Sequence, residues 1–297
     1  MGNPEAHRCG YVAIVGRPNV GKSTLLNRLA GFKVSITSRK PQTTRNLVTA
    51  IVTRQYAQLI LVDTPGFQTR FGSALNRGMN RAVTQSLSGV DAVLVVVEAL
   101  KFGGEDRRLI EMLPREKPVL LVINKIDRIA DRQRLLPFIK QLSEERDFAE
   151  VVPVSATKGK GIEELIETTA KYLPQGPAVH AADEITEASE RFLAAELIRE
   201  KIFRLLGDEL PYVSTVVIDD FAEEQGLRRI HASIIVDKES HKGIVVGARG
   251  ARLKEIASTA RRDMEKLFGG KVFLEVWVKV KSGWTDDKRF LKQAGYG

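Results

Sequence analysis

One stretch near the N-terminus, residues 11–28, constrains the fold more than any other part of the chain. Residues Tyr11 to Val15 are apolar or aromatic and predict a short buried strand. The pattern G-x-x-x-x-G-K-[ST] follows in residues 16–23, and a helix-compatible spacing of apolar residues begins at Thr24. A strand, a glycine-bounded loop and a helix start are the context that a phosphate-binding loop requires.

The residue types in this loop suit phosphate chemistry. Glycines let the backbone wrap a phosphate with its N–H groups turned inward, and the helix N-terminus adds unpaired donors and a positive dipole end. We expect Lys22 to reach the terminal phosphates and Ser23 to hold Mg²⁺ through its hydroxyl. The loop residues predicted to contact the nucleotide are Gly16, Asn19, Val20, Gly21, Lys22, Ser23 and Thr24.

Composition excludes several other kinds of protein. The 297 residues suggest about two domains. With Cys9 as its one cysteine, the chain can form no intramolecular disulfide and offers no cysteine-based metal site. Its four histidines are scattered without metal-ligand spacing. Because the sequence has no apolar run of membrane-spanning length and no signal-peptide pattern, we expect a soluble protein of the reducing cytosol.

The distribution of charge is more informative than the formal net charge of +9. Residues 180–240 hold 7 basic and 14 acidic side chains, whereas residues 241–297 hold 13 basic and 6 acidic ones. A basic patch of this kind suggests a polyanionic partner. A solvated face of mixed charge is the commoner explanation for such a run taken alone.

Two further segments fit a nucleotide switch. The polar loop around residues 33–45 contains Thr44, which in such a switch binds Mg²⁺ and senses the γ-phosphate; taken alone, the loop reads as an ordinary exposed one. Predicted strands at 48–53 and 58–62 follow, and the second ends in Asp63-Thr-Pro-Gly66. Asp63 is suited to anchor Mg²⁺ through water, and Gly66 permits close approach to a γ-phosphate. Residues 67–80 are polar and contain glycine, so we expect them to be mobile.

The remaining strand ends carry chemistry for reading a guanine base. Predicted strands lie at 90–97 and 119–123, and the second ends in the sequence Asn-Lys-Ile-Asp at residues 124–127. We expect Asn124, Lys125 and Asp127 of this sequence to bind the base. The Asp127 carboxylate can accept hydrogen bonds from guanine N1–H and its amino group, and the Lys125 stem can pack over the ring. Adenine would leave the buried acceptor unsatisfied, at a cost of about 1–3 kcal/mol. A helix-capping turn is the alternative interpretation of this motif.

A last predicted strand at 151–154 ends in Ser155 and Ala156, whose backbone N–H groups could meet guanine O6. Alternating strands and helices predict an α/β fold with a mostly parallel sheet and ligands at the carboxyl ends of its strands. The order of elements over residues 8–175 resembles the Ras-like GTPase domain, whose five motifs all have a match. The resemblance implies GTP and GDP binding with Mg²⁺ and a catalytic set of Asn19, Lys22, Thr44 and Gly66. The implied metal ligands are Ser23, Thr44 and Asp63.

One residue departs from the Ras pattern. Ras has a glutamine after D-x-x-G that orients the attacking water, and this chain has Phe67, which has no polar group. The chain therefore resembles the branch of GTPases with a hydrophobic residue there. In that branch a phosphate-loop asparagine, matched here by Asn19, can hold a monovalent cation. This implies slow intrinsic turnover and stimulation by K⁺.

A second domain follows a linker predicted at 176–187. Its order is helix, strand, strand, short helix, G-x-x-G loop, helix and alternating strand, which resembles a type II KH domain, a smaller α+β unit. The KH domain is predicted at 188–285 with a C-terminal tail at 286–297. The elements are expected at 188–206, 213–221, 228–236, 241–246, 247–250, 251–268 and 271–281.

The resemblance implies that the G-x-x-G loop clamps about four nucleotides of single-stranded nucleic acid along their backbone. A helix–turn–helix loop without a ligand is the alternative. The variable positions depart from the usual Lys-Gly, because this chain has Ala248 and Arg249. The residues implied in RNA binding are Lys242, Gly247, Ala248, Arg249, Gly250, Arg252 and Lys254. Trp277 shares a strand face with Phe273; we expect core packing or a partly covered sheet face there rather than base stacking.

The combination of one Ras-like domain with a C-terminal KH domain resembles, over nearly the full length, a family of bacterial GTPases that act in ribosome assembly. The resemblance implies GTP-gated binding to the 3′ end of small-subunit (16S) ribosomal RNA, no DNA binding, a monomer, and a cytoplasmic protein peripherally associated with the inner membrane. Two alternatives remain open. The KH-like domain could contact only protein, or the chain could be a catalytic GTPase in RNA modification, for which the sequence offers no second nucleophile or metal constellation.

Overall fold

The computed structural model describes residues 7–38, 40–66, 73–207 and 209–296. Contacts divide the chain into two compact units. The first unit comprises Met1–Ser35, Thr44–Phe71 and Met79–Glu187; the second comprises Ile36–Thr43, Gly72–Gly78 and Ala188–Gly297. Two short segments of the N-terminal sequence therefore group with the C-terminal unit.

The first unit is built on a six-stranded sheet in the order β2-β3-β1-β4-β5-β6. Only β2 runs antiparallel to its neighbour, and the other pairs are parallel. The mostly parallel sheet is thus confirmed. Its strands are β1 (Arg8–Val15), β2 (Val48–Thr53), β3 (Ala57–Asp63), β4 (Ala92–Glu98), β5 (Val119–Asn124) and β6 (Glu150–Pro153). Its helices are α1 (Lys22–Ala30), α2 (Ala74–Ser88), α3 (Gly104–Met112), α4 (Leu135–Ser143) and α5 (Ile162–Ala170).

Apolar strands at the centre of this sheet are covered on both faces. Every residue of β4 and β5 is buried, which matches their near-continuous Val, Leu and Ile sequences. Helices α2, α3 and α4 contribute to the core on one face, while α1 and α5 contact each other and the strands on the other. This packing fixes the carboxyl ends of the strands, where all the predicted nucleotide residues lie.

The segment predicted as a linker has no helix or strand, as expected, but it is bound to the first unit. The backbone N–H of Ile51 on β2 donates to the carbonyl of Ile185 at 3.0 Å. The Gln58 side-chain oxygen on β3 accepts from the N–H groups of Val179 and His180, both at 2.9 Å. Residues 176–187 are therefore attached to the surface of the first unit by hydrogen bonds.

The prediction of a mobile stretch at 67–80 is wrong where the structure describes it, since helix α2 begins at Ala74. Residues 67–72 lie outside the described part. The first turn of α2 falls in the segment Gly72–Gly78, which groups with the second unit, and its partners there are more than 200 positions away in the sequence. The Ala74 N–H donates to Asp286 Oδ1 at 2.9 Å, and the Leu75 N–H donates to the Thr285 carbonyl at 3.2 Å. These bonds satisfy donors that a helix start leaves open.

The second unit has a three-stranded sheet in the order β7-β8-β9, with β7 and β8 antiparallel and β8 and β9 parallel. The predicted order of elements is confirmed, with ends that differ by three residues or fewer. Ile256, Ala260 and Met264 on α8 are fully buried at four-residue spacing, which explains its amphipathic pattern. The elements are α6 (Glu190–Leu205), β7 (Ser214–Glu224), β8 (Leu227–Val236), α7 (Glu239–Val246), α8 (Ala251–Phe268), β9 (Lys271–Val280) and α9 (Lys288–Gln293).

The C-terminal tail folds onto this unit and forms α9, which the sequence analysis did not predict. Trp284 is fully buried and donates from Nε1 to the Val213 carbonyl at 3.0 Å. The hydroxyls of Tyr296 and Thr215 lie 2.7 Å apart. Leu291 and Trp284 form a small core with Ile235 of β8. Within the described residues, no helix has the length and apolarity to cross a bilayer.

Candidate nucleotide and RNA sites

The phosphate loop of the first unit has the backbone that its glycines allow. Gly21 ends the loop with φ 103°, and a Cβ there would lie 2.4 Å from Asn124 Nδ2. Helix α1 begins at the next residue and has no acidic side chain in its first turn. The helix N-terminus therefore offers its unpaired donors and its dipole to an anion.

Lys22 is almost fully buried within the loop. Its Nζ donates to the carbonyls of Gly16 at 2.9 Å and Arg17 at 3.2 Å. Burial is the main reason that the pKa of Lys22 falls to about 8; the nearby Asp63 opposes the shift and Arg17 adds to it. A phosphate oxygen would replace weak carbonyl partners with a full negative charge, so the arrangement favours an anionic ligand.

The three predicted metal ligands converge on one point. Ser23 Oγ donates to Asp63 Oδ2 at 2.7 Å and lies 2.8 Å from Thr44 Oγ1. Thr44 Oγ1 is 3.4 Å from the same carboxylate oxygen. Ser35 Oγ, which the sequence analysis did not single out, donates to it at 2.9 Å. Strand β3 thus presents Asp63 to hydroxyls from α1 and from both ends of the polar loop.

This cluster suits a hard divalent cation. Asp63 is fully buried, and burial raises its pKa although Lys22 and the three hydroxyls oppose the shift. Its Oδ1 is buried and has no hydrogen-bond partner among the residues that the structure describes. Hydroxyl and carboxylate oxygens are the ligand types that Mg²⁺ prefers. These residues fit Mg²⁺ because a buried carboxylate oxygen without a hydrogen-bond partner in the described chain lies among hydroxyl groups.

Asn124 connects the phosphate loop to the guanine-side loops. Its Nδ2 donates to the Val20 carbonyl at 2.9 Å, and its Oδ1 accepts from the N–H groups of Lys125 and Ala156 at 2.8 and 3.1 Å. The side chain is buried and its amide is used by the protein. Asn124 was predicted to bind the nucleotide; in this geometry it positions the loops that would do so.

Lys125 and Asp127 are each held by a neighbour. Lys125 has φ 65° and donates from Nζ to the Asn19 carbonyl and to Glu98 Oε2, both at 2.6 Å. Burial alone would raise the pKa of Glu98, but hydrogen bonds from Lys101 and Lys125 lower it to about 2. Asp127 Oδ1 accepts from Ser155 Oγ at 2.6 Å. The structure therefore brings both residues that were predicted to bind the base to the edge where Asn19 lies.

Three other predicted residues have distinct positions. Gly66 is buried against Pro18, whose Cγ would lie 3.0 Å from an added Cβ. Asn19 has φ 65° and an exposed side chain at the loop. Thr24 is half-buried in the first turn of α1. Phe67, on which the expectation of a cation-assisted mechanism depends, lies outside the described residues.

The RNA-binding residues predicted for the second unit lie in the turn between α7 and α8 and on those two helices. Gly247 has φ 71°, and a Cβ there would lie 2.8 Å from the Cβ of Arg252. Gly250 has φ 77°, and Arg249 between them has φ 49°. Two close positive-φ glycines let the chain reverse and bring its backbone near a ligand.

The cations of this loop are open to solvent. Arg249, Arg252 and Lys254 are exposed, as is Ala248, and within the described chain no carboxylate lies in ion-pair range of these three cations. Lys242 is half-buried, and its Nζ is 3.4 Å from Glu239 Oε1 on its own helix. The loop therefore presents three positive charges without a paired carboxylate among the described residues. The charge of Lys242 is partly neutralised by Glu239.

Sequence reasoning missed Glu98 and Ser35. Glu98 ends β4 at the same sheet edge as Asp63 and Asn124, so the rule that strand ends carry the site could have found it. Ser35 offered no such signal, because one serine in a polar loop is unremarkable until the fold places it beside Asp63.

Comparison with known proteins agrees with this geometry. A family model described as a 50S ribosome-binding GTPase matches residues 11–125, and a KH domain model matches residues 209–285. The GTPase Era of Nitrosomonas eutropha is 56% identical over 290 residues, which cover 98% of each protein. The GTPase Era of Neisseria meningitidis is 54% identical over 293 residues, covering 98% of this chain and 95% of that one.

Two solved structures resemble the whole chain. One is Aquifex aeolicus Era, as a point variant bound to GDP·AlF4⁻. The other is Era in complex with MgGDPNP and nucleotides 1506–1542 of 16S ribosomal RNA. Each has a TM-score of 0.94 and 40% identity, and the match covers 98% of this chain and 99% of the other.

The fold and the phosphate loop define a P-loop GTPase of the Ras-like class with a C-terminal KH domain. The resemblance found in the sequence and the predicted GTPase activity are confirmed. With relatives more than half identical over nearly the full length, the chain belongs to the Era family of GTPases.

Proposed function

We propose that this GTPase is a switch whose nucleotide state controls binding of its KH domain to the 3′ end of small-subunit ribosomal RNA during assembly of that subunit. The observation that carries the proposal is the position of Ile36–Thr43. This segment groups with the KH unit and leads directly into Thr44, which groups with the GTPase unit.

The nucleotide side of the switch rests on Ser23, Thr44 and Asp63. These residues would hold Mg²⁺, which supplies positive charge to the phosphates when it is bound. Lys22 would exchange its two carbonyl partners for phosphate oxygens. Asp127 would accept from the guanine edge, with Ser155 and Glu98 keeping Asp127 and Lys125 in place. Thr44 and Gly66 would respond to the γ-phosphate, because Thr44 lies beside Ser23 and Asp63 and Gly66 lies against Pro18 of the phosphate loop.

Contacts within the second unit explain how a change at Thr44 could reach the KH fold. The Thr37 N–H donates to Glu200 Oε1 of α6 at 3.0 Å. Arg204 of the same helix donates to the Thr37 carbonyl at 3.1 Å and to its hydroxyl at 3.0 Å. Lys40 Nζ donates to the carbonyls of Leu206 at 2.5 Å and Gly207 at 3.0 Å. A displaced Thr44 would pull on a segment that is anchored to α6.

The RNA side rests on the open loop between α7 and α8. A G-x-x-G loop of a KH domain clamps about four backbone nucleotides, and the exposed Arg249, Arg252 and Lys254 supply charge for their phosphates. The related Era structure contains nucleotides 1506–1542 of 16S ribosomal RNA, which makes that region the first RNA to test. The same proposal places the protein in the cytoplasm, and peripheral membrane association stays a prediction of the resemblance.

In the proposed function, K⁺ assists the hydrolysis of GTP. The Asn19 side chain is exposed at the phosphate loop, where an amide oxygen could contribute to holding a monovalent cation beside the phosphates. The cation would supply the positive charge that an arginine finger supplies in other GTPases.

The experiment that tests the RNA proposal measures binding of a labelled single strand copied from the 16S 3′ end. The wild type is compared with the double variant Gly247→Asp/Gly250→Asp at one stated salt concentration. We expect the variant to lose most of its affinity, since it adds two carboxylates and two strained positive-φ residues at the loop. Thermal unfolding of both proteins reports whether the variant still folds.

The alternative is a KH-like domain that contacts only protein. Wild-type protein that hydrolyses GTP but binds the RNA in neither nucleotide state would favour this alternative and remove the RNA proposal. Equal RNA affinities of wild type and a folded double variant would move the RNA site away from the loop.

A further inference from the structure

The sheet of the second unit has an outer face that its helices do not cover. The inner face packs against the helices through Ile230, Ala232 and Ile234 of β8. One part of the outer face is closed by the C-terminal tail, where Trp284 covers Ile235. The other part is open, and there Phe273 and Trp277 of β9 are 43% and 42% exposed. Of the two arrangements expected for Trp277, core packing or a partly covered sheet face, the structure has the second.

The open part has an ordered arrangement of rings, which we call the aromatic surface: His231, Phe273 and Trp277. The His231 ring stacks on Trp277 with centroids 5.6 Å apart and planes 17° from parallel. Phe273 meets His231 edge-on at 6.1 Å. The guanidinium of Arg229 lies over the Phe273 ring at 5.8 Å. Because β8 and β9 pair in fixed register, the rings are pre-arranged and their remaining faces and edges are available to a planar ligand.

The charges around these rings are mixed, but the cations are open to a phosphate. On this face β8 and β9 carry the cations Arg229, Lys271 and Lys279 and the carboxylate Glu275, which lies 3.2 Å from His231 Nδ1. Arg229 lies 3.2 Å from Glu224, and Lys279 lies 3.3 Å from Asp219. Both are exposed pairs, which stabilise little and can be exchanged for a phosphate. Lys271 is exposed and forms no ion pair with any residue that the structure describes.

Exposed rings with cations between them are the composition of single-strand binding surfaces, where bases stack on aromatic side chains and phosphates meet Lys and Arg. Aromatic side chains and arginine are also enriched at protein–protein interfaces, so a protein that binds there in place of RNA is an outcome that the test below separates.

We propose that the aromatic surface is a second RNA contact, at which Trp277 stacks on a base of the RNA strand bound at the G-x-x-G loop. The inference rests on the proposed function. The loop accommodates about four nucleotides, so a longer RNA has bases outside it. Trp277 and Phe273 give the surface its stacking faces, and Lys271 and Arg229 give it phosphate contacts.

The test compares two RNAs from the 16S 3′ end: a six-nucleotide strand that fills only the loop and a strand of about 35 nucleotides. Trp277→Ala should weaken binding of the long RNA roughly 10-fold, the size expected for the loss of one stacked base, and leave the short RNA unchanged. Trp277→Phe should restore most of the lost affinity, because it keeps a stacking ring. Lys271→Glu should weaken only the long RNA and does so without altering ring packing.

The protein has two tryptophans, Trp277 and Trp284, and only Trp277 is exposed. The long RNA should therefore quench the emission of the wild type, and Trp277→Phe should abolish that quenching. Phe32→Ala removes a 53% exposed ring from the GTPase unit and serves as the matched control, with no change expected for either RNA.

The outcomes separate the two proposals. If Trp277→Ala and Lys271→Glu bind the long RNA as well as the wild type and no quenching occurs, the second contact is absent, while loss of both RNAs by the Gly247→Asp/Gly250→Asp variant still supports the loop. Wild-type protein that binds neither RNA overturns the proposed function and the second contact with it. Long-RNA affinity that falls equally in Phe32→Ala would also overturn the assignment to this surface.

Discussion

The charged side chains of the nucleotide site are buried and hydrogen-bonded, whereas those of the G-x-x-G loop are exposed and unpaired in the part of the chain that the structure describes. In the GTPase unit, Lys22 and Asp63 are buried and bonded to the protein's own carbonyls and hydroxyls. In the KH unit, Arg249, Arg252 and Lys254 are exposed and carry no ion pair within the described chain. The first site is pre-organised, so a ligand must replace existing partners, and single substitutions there should have large effects. The cations of the second site are exposed and have no fixed partner among the described residues. Each should therefore contribute a small and salt-dependent part of the RNA-binding free energy.

Lys22→Ala should have the largest effect in the molecule. It removes a desolvated cation that lies within the phosphate loop against the carbonyls of Gly16 and Arg17, and we expect GTP hydrolysis to fall roughly 100-fold or more. Steady-state phosphate release at saturating GTP measures it. Lys171→Ala, which removes an exposed lysine from the same unit, is the control and should hydrolyse GTP at the wild-type rate. A loss of less than threefold in Lys22→Ala would contradict the contrast between buried and exposed cations.

Asn19 differs from Lys22 and Asp63, because its side chain is exposed although it lies in the nucleotide site. If its amide helps to hold a monovalent cation, hydrolysis in K⁺ should be roughly 10-fold faster than in Na⁺ at equal ionic strength, since the cation takes a role that an arginine finger has elsewhere. Asn19→Ala should remove the difference between the two salts. Equal wild-type rates in both salts would exclude cation assistance.

Arg252→Ala tests the open loop. One lost phosphate contact should weaken RNA binding by about 3- to 10-fold at low salt and lower the slope of log affinity against log salt by about 1. Arg262→Ala, an exposed arginine on the same helix, is the matched control. An unchanged slope in Arg252→Ala would show that this residue meets no phosphate.

Glu98→Gln should have the smallest effect. Since the hydrogen bonds from Lys101 and Lys125 lower the pKa of Glu98 to about 2, the ionised carboxylate stabilises the fold above its unfolded pKa near 4.5. That contribution is lost as the pH falls from there toward 2. Wild type should therefore be more stable than the variant at pH 6, and the difference should shrink by pH 3. Urea unfolding at the two pH values measures it; a difference that grows on acidification would contradict the assignment.

The strands could be predicted because the pattern that marks each one lies within a few neighbouring residues of the sequence. Each strand of the GTPase unit is an apolar run bounded by polar or glycine residues, and each motif lies where such a run ends. The G-x-x-G loop and its flanking helices were readable for the same reason. In this way the sequence placed Ser23, Asp63 and Asp127 at one edge of a sheet before their contacts were known.

Other features depend on partners far away in the chain. The start of α2 at Ala74 is supported by Asp286 and Thr285, and α9 is held by contacts of Trp284 with the sheet. The linker at 176–187 looked free because its hydrogen bonds to β2 and β3 join side chains and backbone more than 100 positions apart. No local pattern reports such pairs.

The most direct test of the switch is the RNA affinity of one protein in two nucleotide states. Fluorescence anisotropy with the 16S 3′-end strand should give at least fivefold tighter binding with a non-hydrolysable GTP analogue than with GDP. Arg204→Ala, which removes two hydrogen bonds between Thr37 and α6 and leaves the one to Glu200, should narrow that ratio of affinities. Affinities that agree within twofold in the two states would contradict nucleotide control and leave a GTPase whose KH domain binds independently of it.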